Sequence, residues 1–518
     1  CRDVESLSSD APGANEVNTL PWPLLLRAQI TARVEASERY PWLVLATVLF
    51  GLFSVGCTIT ILAVSIPRIA TDLSSDTSTV SWVTTGPILA FAVFGPAAGK
   101  LADLRGQRGV YLLSLVGVGI FAALSAVAWS AGALIAFRVL GAATGAATGP
   151  ASLAIINRMF PPAKRAQAMG YWAMVGAGGP VVGALVGGPV VEAFGWRWLF
   201  VAQVPLTVAT LLVAAAVLPN VRPSPEARAA RFDGWGAVTL GAAAVSLLLA
   251  VNRGSRIGWT QPLVVAGFVV TPLLITAFVL IERRVAHPLL PLHYLRRRNF
   301  TFPIATQFFT NFAYMGAFAI TPLLLQEEYG FGETRTTLLS IPRPLVFAIA
   351  GPVAGYFTLK IGERVAGVTG AVSIVASMVA LSTLAPGDGT LPIIFALGLS
   401  GLGMGTASPA LAAAIANSVD ENDLGVAGAT QQMVSQVGTA MGTQVLLAVQ
   451  TARESSVGAV GSYGEAFLVG GGMAVIGLGL ATFVRRTPRA PGRATGAPQG
   501  ARNEPAEAGR TALAAATR

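Results

Sequence analysis

Long apolar runs divide most of this 518-residue chain, and they constrain its fold more than any other feature. A helix needs about 20 consecutive apolar residues to cross the hydrocarbon core of a bilayer. The composition agrees, because 53% of the residues are hydrophobic, 12% are charged and the mean hydropathy is +0.64. The runs predict an all-α integral membrane protein with fourteen transmembrane helices. The predicted spans cover residues 41–65, 79–99, 109–129, 132–155, 167–190, 198–218, 235–252, 262–281, 301–325, 336–358, 365–385, 391–416, 425–449 and 463–484.

The positions of the basic residues predict how these spans are oriented. If the N-terminus lies in the cytoplasm, 27 of the 35 Lys and Arg residues fall in inner segments, six in outer loops and two within spans. Membrane proteins concentrate Lys and Arg in short cytoplasmic loops. Both termini are therefore expected in the cytoplasm. Arg and Ala are enriched, which suggests a high-GC bacterial genome, so the expected location is the bacterial inner membrane. The charge is spread over several loops and forms no single patch, so we expect no nucleic-acid partner.

The few cysteines and histidines limit the chemistry that the chain can perform. Two cysteines, Cys1 and Cys57, make no disulfide framework. The two histidines, His287 and His293, lie in one charged stretch and make no histidine-rich metal site. No Ser-His-Asp arrangement is visible in the sequence. We therefore expect a protein that is not an enzyme, with no catalytic residues, no metal and no cofactor.

A short pattern recurs about 256 residues further along the chain. Residues 95–99, Gly-Pro-Ala-Ala-Gly, precede Gly106, and residues 351–355, Gly-Pro-Val-Ala-Gly, precede Gly362. Repeated halves of about six spans are typical of secondary transporters, whose substrate site lies between the halves. The predicted parts are a cytoplasmic arm (1–40), an N-terminal six-span half (41–218), a linker with two extra spans and a basic cytoplasmic loop (219–299), a C-terminal six-span half (300–484) and a disordered basic cytoplasmic tail (485–518).

The loop after the second predicted span carries a motif with a physical rationale. Residues 99–108, Gly-Lys-Leu-Ala-Asp-Leu-Arg-Gly-Gln-Arg, resemble the G-x-L-a-D-r-x-G-r-k loop of the major facilitator superfamily. Glycines let helices and a tight turn approach closely, and an aspartate can interact with helix N-termini and arginines. The resemblance implies a conformational latch formed by Gly99, Asp103, Gly106 and Arg108. A purely structural turn is the alternative.

Other segments resemble the fourteen-span drug/proton antiporter branch of this superfamily. Residues 196–205 resemble its W-R-W-x-F-x-x-N-x-P segment, and residues 232–236 and 282–300 resemble the segments that flank its two inserted spans. The resemblance covers about residues 40–485. It implies a major facilitator fold with two six-helix repeats and two inserted central spans. It also implies that the protein works by alternating access.

One segment of the fifth predicted span looks like a motif of exporters in this superfamily. Residues 179–183, Gly-Pro-Val-Val-Gly, match its G-P-x-x-G core. A Gly-Pro pair kinks and thins a helix. Gly179, Pro180 and Gly183 are therefore expected to form a hinge.

The chain departs from the family pattern at positions that concern proton coupling. Family members commonly carry an acid in span 1 at the position where this chain has Thr58, and Leu359 stands at the second-half equivalent of Asp103. Thr does not titrate, and no predicted span has a clearly central Asp or Glu. The sequence therefore leaves the coupling ion open.

Two arginines lie within predicted spans, where a charge is costly and is usually retained for function. Arg138 is a candidate proton relay or substrate contact, and pairing with backbone carbonyls is the alternative. Arg343 is a candidate contact for an anionic or polar substrate. Its alternative is a side chain that extends from the outer end of its helix to the membrane surface.

Side-chain amides occur in pairs at helical spacing. Gln307 and Asn311 share one helix face, as do Gln432 and Gln436. Aromatic and methionine neighbours make both pairs candidates to line a cavity for an amphipathic organic substrate. Hydrogen bonding between helices is the alternative.

Together these features predict a secondary transporter that exports drug-like or antibiotic-like organic molecules by proton antiport. Its expected partners are a small organic substrate, protons and the lipid bilayer, and it is expected to be monomeric. One alternative is a dedicated exporter of an endogenous natural product or lipid with different coupling. Another is a transporter-like sensor or scaffold without flux.

Overall fold

The computed structural model describes residues 39–219 and 231–485. The predicted tail (485–518) and the predicted arm (1–40) lie almost entirely outside the described residues. The described chain is predominantly helical. Its α-helices are α1 (Tyr40–Asp72), α2 (Thr77–Val80), α3 (Trp82–Arg105), α4 (Gln107–Ala126), α5 (Ala131–Gly145), α6 (Thr148–Met159), α7 (Pro162–Phe194), α8 (Arg197–Val217), α9 (Gly234–Ile257), α10 (Pro262–Glu282), α11 (Arg298–Glu327), α12 (Glu333–Ser340), α13 (Pro342–Ile361), α14 (Glu363–Ser382), α15 (Thr390–Ala416), α16 (Leu424–Val457) and α17 (Ala459–Ala481).

Eleven helical segments among the described residues are long and apolar enough to cross a membrane. Two of these segments join neighbouring helices, α5 with α6 and α12 with α13. The helices α1, α7 and α16 are not among the eleven, although they contain 33, 33 and 34 residues and coincide with the first, fifth and thirteenth predicted spans. Glycine, serine, threonine and glutamine dilute the apolar character of α16. The all-α, multi-span fold is confirmed, whereas the count of fourteen spans stays a prediction.

The repeated glycines end equivalent helices in the two parts of the chain. Gly106, after α3, has φ 99° and ψ 127°, and Gly362, after α13, has φ 90° and ψ 161°. This region of backbone space is essentially restricted to glycine, because a Cβ would clash with the chain. Each glycine therefore reverses the chain within one residue, so that α4 and α14 begin immediately.

The helices form two groups, which we term the N-terminal helices (α1–α8) and the C-terminal helices (α11–α17). Within the first group α1 packs on α7 and α8, and within the second α11 packs on α16 and α17. Between the groups α7 crosses α13 and α15, and α16 crosses α3 and α6. The inserted helices α9 and α10 pack on each other, and α9 also contacts α3 and α16. These crossings bring side chains from both groups to one central space.

Candidate functional site

A cavity of about 470 Å³ lies between the N-terminal and the C-terminal helices. Gln307 and Asn311 of α11 and Gln432 and Gln436 of α16 all line it, as does Arg138 of α5. The amides and the arginine therefore come together in one site, although they belong to opposite groups of helices. The apolar part of the wall is formed by residues that include Ile88, Phe91, Phe121, Phe137, Trp172, Met315, Phe347, Met404 and Met433.

The side-chain amides that line the cavity differ in how many of their hydrogen bonds are made within the protein. Asn311 Nδ2 donates to the backbone oxygen of Gln307 at 2.8 Å, within its own helix. Gln307 Oε1 is buried and has no hydrogen-bond partner among the described residues. Gln432 reaches across to the N-terminal helices, since a Cβ on Gly149 would lie 2.9 Å from Gln432 Nε2. An unpartnered amide oxygen in an apolar wall can accept a hydrogen bond from a bound molecule.

Gln203 of α8 is a polar lining residue that the sequence analysis missed. Its Nε2 lies 3.5 Å from the backbone oxygen of Ser54, and its Oε1 is buried without a partner among the described residues. The sequence offers one signal for Gln203, because it is one of few polar side chains in the apolar run 198–218. A lone amide within a transmembrane segment is costly unless it hydrogen-bonds or serves a site.

Arg138 lies at the cavity with part of its guanidinium unsatisfied. Its Cζ is 5.6 Å from the centroid of the Phe200 ring, which is within range of a cation–π interaction. Its Nε is buried and makes no hydrogen bond in the part of the chain that the structure describes. Arg138 therefore carries a positive charge to an apolar cavity wall.

Arg343 is buried deeply, and it does not line the cavity. The residue is 1% exposed, and its Cζ lies 3.9 Å from the centroid of the Tyr314 ring. Its three guanidinium nitrogens have no hydrogen-bond partner among the described residues. This burial does not fit a side chain that extends to the surface. Phe347 lines the cavity and packs edge-on against Tyr314, with ring centroids 5.9 Å apart, so Phe347 connects the cavity wall to the ring beside Arg343.

Asp103 joins the N-terminal helices to the start of α16. Its Oδ1 accepts the backbone N–H of Gly425 at 3.0 Å, and its Oδ2 accepts that of Val426 at 2.9 Å. The first N–H groups of a helix have no partner within the helix, and they carry partial positive charge. A buried carboxylate from elsewhere in the chain therefore caps α16. Gln107 Nε2 also donates to Oδ1, at 3.2 Å.

The other predicted latch residues have different partners. A Cβ on Gly99 would lie 2.6 Å from the backbone oxygen of Gly425, so only glycine lets α3 approach α16 this closely. Gly106 forms the turn described above. Arg108 Nη2 donates to the backbone oxygen of Ala215 at 2.6 Å, which keeps Arg108 within the N-terminal helices. Gly99 and Asp103 thus contact the C-terminal helices directly, whereas the hydrogen bond of Arg108 to Ala215 stays within the N-terminal helices.

Lys100 adds an ion pair beside this cap. Its Nζ lies 3.5 Å from Asp423 Oδ1, and the hydroxyl of Tyr294 lies 2.7 Å from Asp423 Oδ2. Burial and the hydrogen bond to Asp423 raise the pKa of Tyr294 above its usual value, so the phenol stays protonated and can donate. Tyr294 belongs to the loop between α10 and α11, and its hydrogen bond helps to hold Asp423 in place for Lys100.

Further contacts between the two groups were not anticipated from the sequence. Arg165 Nη1 donates to the side-chain oxygen of Asn417 at 2.9 Å, and Arg158 Nη2 donates to the backbone oxygen of Glu421 at 2.9 Å. Both arginines were read only as topology signals, because nothing in a single sequence indicates which distant carbonyl a loop arginine meets. A Cβ on Gly351 would lie 2.8 Å from the backbone oxygen of Gly170, so α7 and α13 also meet backbone to backbone.

These contacts lie at one end of the helix bundle, where the basic segments 100–108 and 158–165 are found; we term it the basic end. At the opposite end, hydrogen bonds such as Arg68 Nη1 to the Val191 oxygen (2.6 Å) stay within one group of helices. The hydrogen bond between Tyr463 and Glu327 also stays within one group. The contacts described above therefore join the two groups of helices at the basic end.

The predicted exporter motif lies in α7, which continues unbroken from Pro162 to Phe194. Gly179 and Gly183 are buried. A Cβ on Gly179 would lie 3.7 Å from Phe53 of α1, which is ordinary contact. The segment therefore packs against α1 within a continuous helix, and its role as a hinge stays a prediction.

A central cavity between two groups of apolar helices defines a polytopic membrane transporter. Residues 48–443 match the family model of the Major Facilitator Superfamily, and the chain belongs to this superfamily. It is 30% identical over 418 residues to the tetracenomycin C resistance and export protein of Streptomyces glaucescens, covering 80% of this chain and 77% of that one. It is 28% identical over 425 residues to the multidrug transporter protein MdtP of Bacillus subtilis, covering 82% and 78%. These relatives are transporters and not enzymes.

Solved structures support the fold independently. The human organic anion transporter MFSD10 superposes with a TM-score of 0.61 at 18% identity, covering 85% of this chain and 99% of that one. At this identity the likeness concerns the fold alone. The membership in the superfamily that the motifs implied is confirmed by the match to the family model over residues 48–443.

Proposed function

We propose that this protein exports drug-like or antibiotic-like organic molecules across the bacterial inner membrane, by alternating access and in exchange for protons. The observation that carries the proposal is the cavity of about 470 Å³, with apolar walls and a few side-chain amides. Such a site suits amphipathic organic molecules, because apolar walls supply affinity and a few polar groups supply orientation. The resistance and export proteins to which the chain is similar support the same substrate class.

The proposed topology has fourteen spans, in which α1, α7 and α16 complete the eleven apolar segments. Two six-span halves (41–218 and 300–484) flank the inserted pair α9 and α10. The basic end and both termini face the cytoplasm, because Lys and Arg concentrate there. The cavity lies within one chain, which suits a monomeric transporter.

In this topology the described conformation is closed toward the cytoplasm. Gly99, Asp103 and Gly106 stabilise it through the cap of α16 and the turn that follows α3. A cycle of export then requires that this cap break, so that the cavity can load from the cytoplasm. Gly179, Pro180 and Gly183 are proposed as the hinge of α7 in that change.

Arg138 is the proposed contact for a proton-relay partner or a substrate in the cavity. Its partly unsatisfied guanidinium at the cavity wall supports this role. Arg343 is proposed to act on the cavity indirectly, through Tyr314 and Phe347, because its own side chain does not line the cavity. Gln307, Asn311, Gln432 and Gln436 are the proposed polar contacts for the substrate.

Inverted membrane vesicles from cells that express the chain test the coupling. We expect ethidium, a drug-like fluorescent cation, to accumulate when the vesicle interior is acidified and to leave when a protonophore collapses the gradient. Vesicles without the protein provide the baseline. Accumulation that is the same with and without an imposed pH gradient would contradict proton antiport.

A second candidate is a dedicated exporter with a different coupling ion, and Thr58 is the observation that favours it. Thr58 offers no carboxylate where relatives of the branch commonly have one. In the same vesicles, a dependence on a sodium gradient with no dependence on pH would select this candidate. A narrow substrate range in cells would do so as well.

Gln432→Ala is expected to change substrate preference by about fivefold. The amide offers hydrogen bonds that contribute about 1 kcal/mol each, and such a difference corresponds to about fivefold in binding. Substrates with polar groups should lose efflux, whereas purely apolar substrates should change little. Efflux rates for a panel of both kinds measure the ratio.

Gln450→Ala is the matched control for this substitution. Gln450 is a buried amide of the same helix, and it bonds to Glu454 instead of lining the cavity. We expect Gln450→Ala to leave the ratio between substrates unchanged. If both variants shift the ratio equally, the cavity assignment of Gln432 is wrong.

A further inference from the structure

Two buried carboxylates meet where the inserted helices α9 and α10 reach the basic end. Asp233 precedes α9, and its Oδ1 accepts the backbone N–H of Gly236 at 2.9 Å. Glu282 is the last residue of α10, and its Oε1 accepts the backbone N–H of Leu289 at 3.1 Å. The two residues are 7% and 4% exposed. Both side chains are therefore held in place by backbone amides and removed from solvent.

Each carboxylate retains one oxygen without a partner. Asp233 Oδ2 and Glu282 Oε2 are inaccessible to solvent and make no hydrogen bond within the described residues. The Leu290 amide also faces the Glu282 carboxylate. Both carboxylates border the same glycine, since a Cβ on Gly236 would collide with Asp233 Oδ2 and would lie 2.9 Å from Glu282 Oε1. The two acids are therefore neighbours across the α9–α10 pair.

Two ionised carboxylates at such short range repel each other, and burial adds a desolvation cost to each charge. A single proton removes one of the charges and converts one of the unpartnered oxygens into a donor. When two acids interact closely, the titration belongs to the pair and is not assigned to either acid alone. We propose that Asp233 and Glu282 bind one proton between them, which makes the base of the inserted helices a proton-binding site outside the substrate cavity.

The charged groups around this pair suggest what the proton regulates. Lys100 of α3 lies close enough to Glu282 to stabilise its charge, and it also pairs with Asp423 at 3.5 Å, just before α16. Arg283, Arg284, His287 and His293 of the following loop are exposed. Release of the shared proton adds a negative charge near Lys100. That charge competes with Asp423 for Lys100 and so weakens one contact that closes the basic end.

Infrared difference spectroscopy of the full chain in lipid vesicles, between acidic and alkaline pH, tests the proposal. We expect a carboxylic-acid C=O band that disappears on alkalinisation. Glu282→Gln should reduce this band by the equivalent of one carboxyl group per chain, and Asp233→Asn should reduce or shift it, because each substitution removes one of the two acids that share the proton. Both substitutions keep the shape of the side chain and need no substrate.

Glu192→Gln is the control, since it removes an exposed carboxyl group of α7. It should leave the buried band unchanged. A wild-type chain with no protonated carboxyl group at acidic to neutral pH would overturn the proposal. A band of wild-type amplitude and position in either the Glu282→Gln or the Asp233→Asn variant would also overturn it, because the band would then belong to another acid such as Asp103.

This test is independent of the proposed transport activity. The infrared band concerns the resting protein, whereas proton antiport is measured by ethidium accumulation in inverted vesicles. Accumulation that ignores the pH gradient would contradict proton antiport and leave the carboxyl pair standing. Gradient-driven accumulation of ethidium, together with an infrared band that neither the Glu282→Gln nor the Asp233→Asn substitution changes, would support proton antiport and overturn the carboxyl pair.

Discussion

Asp103→Asn is expected to reduce efflux at least tenfold without lowering the amount of protein in the membrane. Asn retains one oxygen that can accept the N–H of Gly425, but its amide nitrogen cannot accept that of Val426. The negative charge at the N-terminus of α16 is lost as well. A hydrogen bond to a charged group contributes about 1.5–3 kcal/mol, so the balance between conformations should shift about tenfold or more. Efflux of ethidium, normalised to protein in the membrane, measures the effect.

Asp388→Asn is the matched control for this prediction. Asp388 is exposed in the loop between α14 and α15, and its carboxylate also accepts a backbone N–H, that of Ala385 at 2.9 Å. This hydrogen bond stays within the C-terminal helices, so we expect Asp388→Asn to retain efflux. Unchanged efflux in Asp103→Asn would show that the cap of α16 does not control the transport cycle.

Gly170→Ala is expected to have a comparable effect by a different physical route. The added Cβ would collide with the backbone oxygen of Gly351 and lie 2.9 Å from Pro352 Cα. These are backbone atoms of α13, so the clash can be relieved only if α7 and α13 move apart. The substitution should therefore disfavour the conformation that is closed at the basic end and reduce efflux at least tenfold.

Cross-linking between cysteines placed at Arg158 and Glu421 measures this separation, in a chain whose Cys1 and Cys57 are replaced by serine. The pair spans the two groups of helices, since Arg158 donates to the Glu421 oxygen. We expect Gly170→Ala to lower the cross-linking yield. Gly178→Ala, on the same helix, should not, because its Cβ would lie 3.9 Å from Ala348, at ordinary contact distance. Equal cross-linking yields in the Gly170→Ala and Gly178→Ala variants would contradict the prediction that the added Cβ at position 170 separates α7 from α13.

Much of the fold could be predicted because the bilayer restricts what an apolar chain can form. Backbone groups in hydrocarbon must be satisfied within the helix itself, so apolar runs of span length predict helices. The signal is weaker where polar residues line the site. The helix α16 carries glycines and amides at the interface between the two helix groups, and it falls outside the eleven apolar segments. Residues of α16 that line the cavity therefore also lower the hydropathy of a predicted span.

The sequence predicted which types of residue form the candidate site, but it did not predict which of these residues contact one another. Gln307 and Gln432 were selected as cavity candidates because a side-chain amide is costly within a transmembrane helix unless it forms hydrogen bonds. Only the way the helices cross shows that both residues line one cavity. Arg343 looked equivalent to Arg138 in the sequence. The structure separates the two, since Arg138 lines the cavity, whereas Arg343 does not and is buried against the ring of Tyr314.

The sequence alone determined the class of the protein, because hydropathy, charge asymmetry and the Asp103 motif are local properties of the chain. Tertiary structure alone decided which groups meet. Asp103 caps a helix that begins more than 300 residues later, and Asp233 faces Glu282 across the two inserted helices. Such pairings depend on how closely helices approach, and that is decided by packing at glycines such as Gly170 and Gly425, which no local pattern encodes.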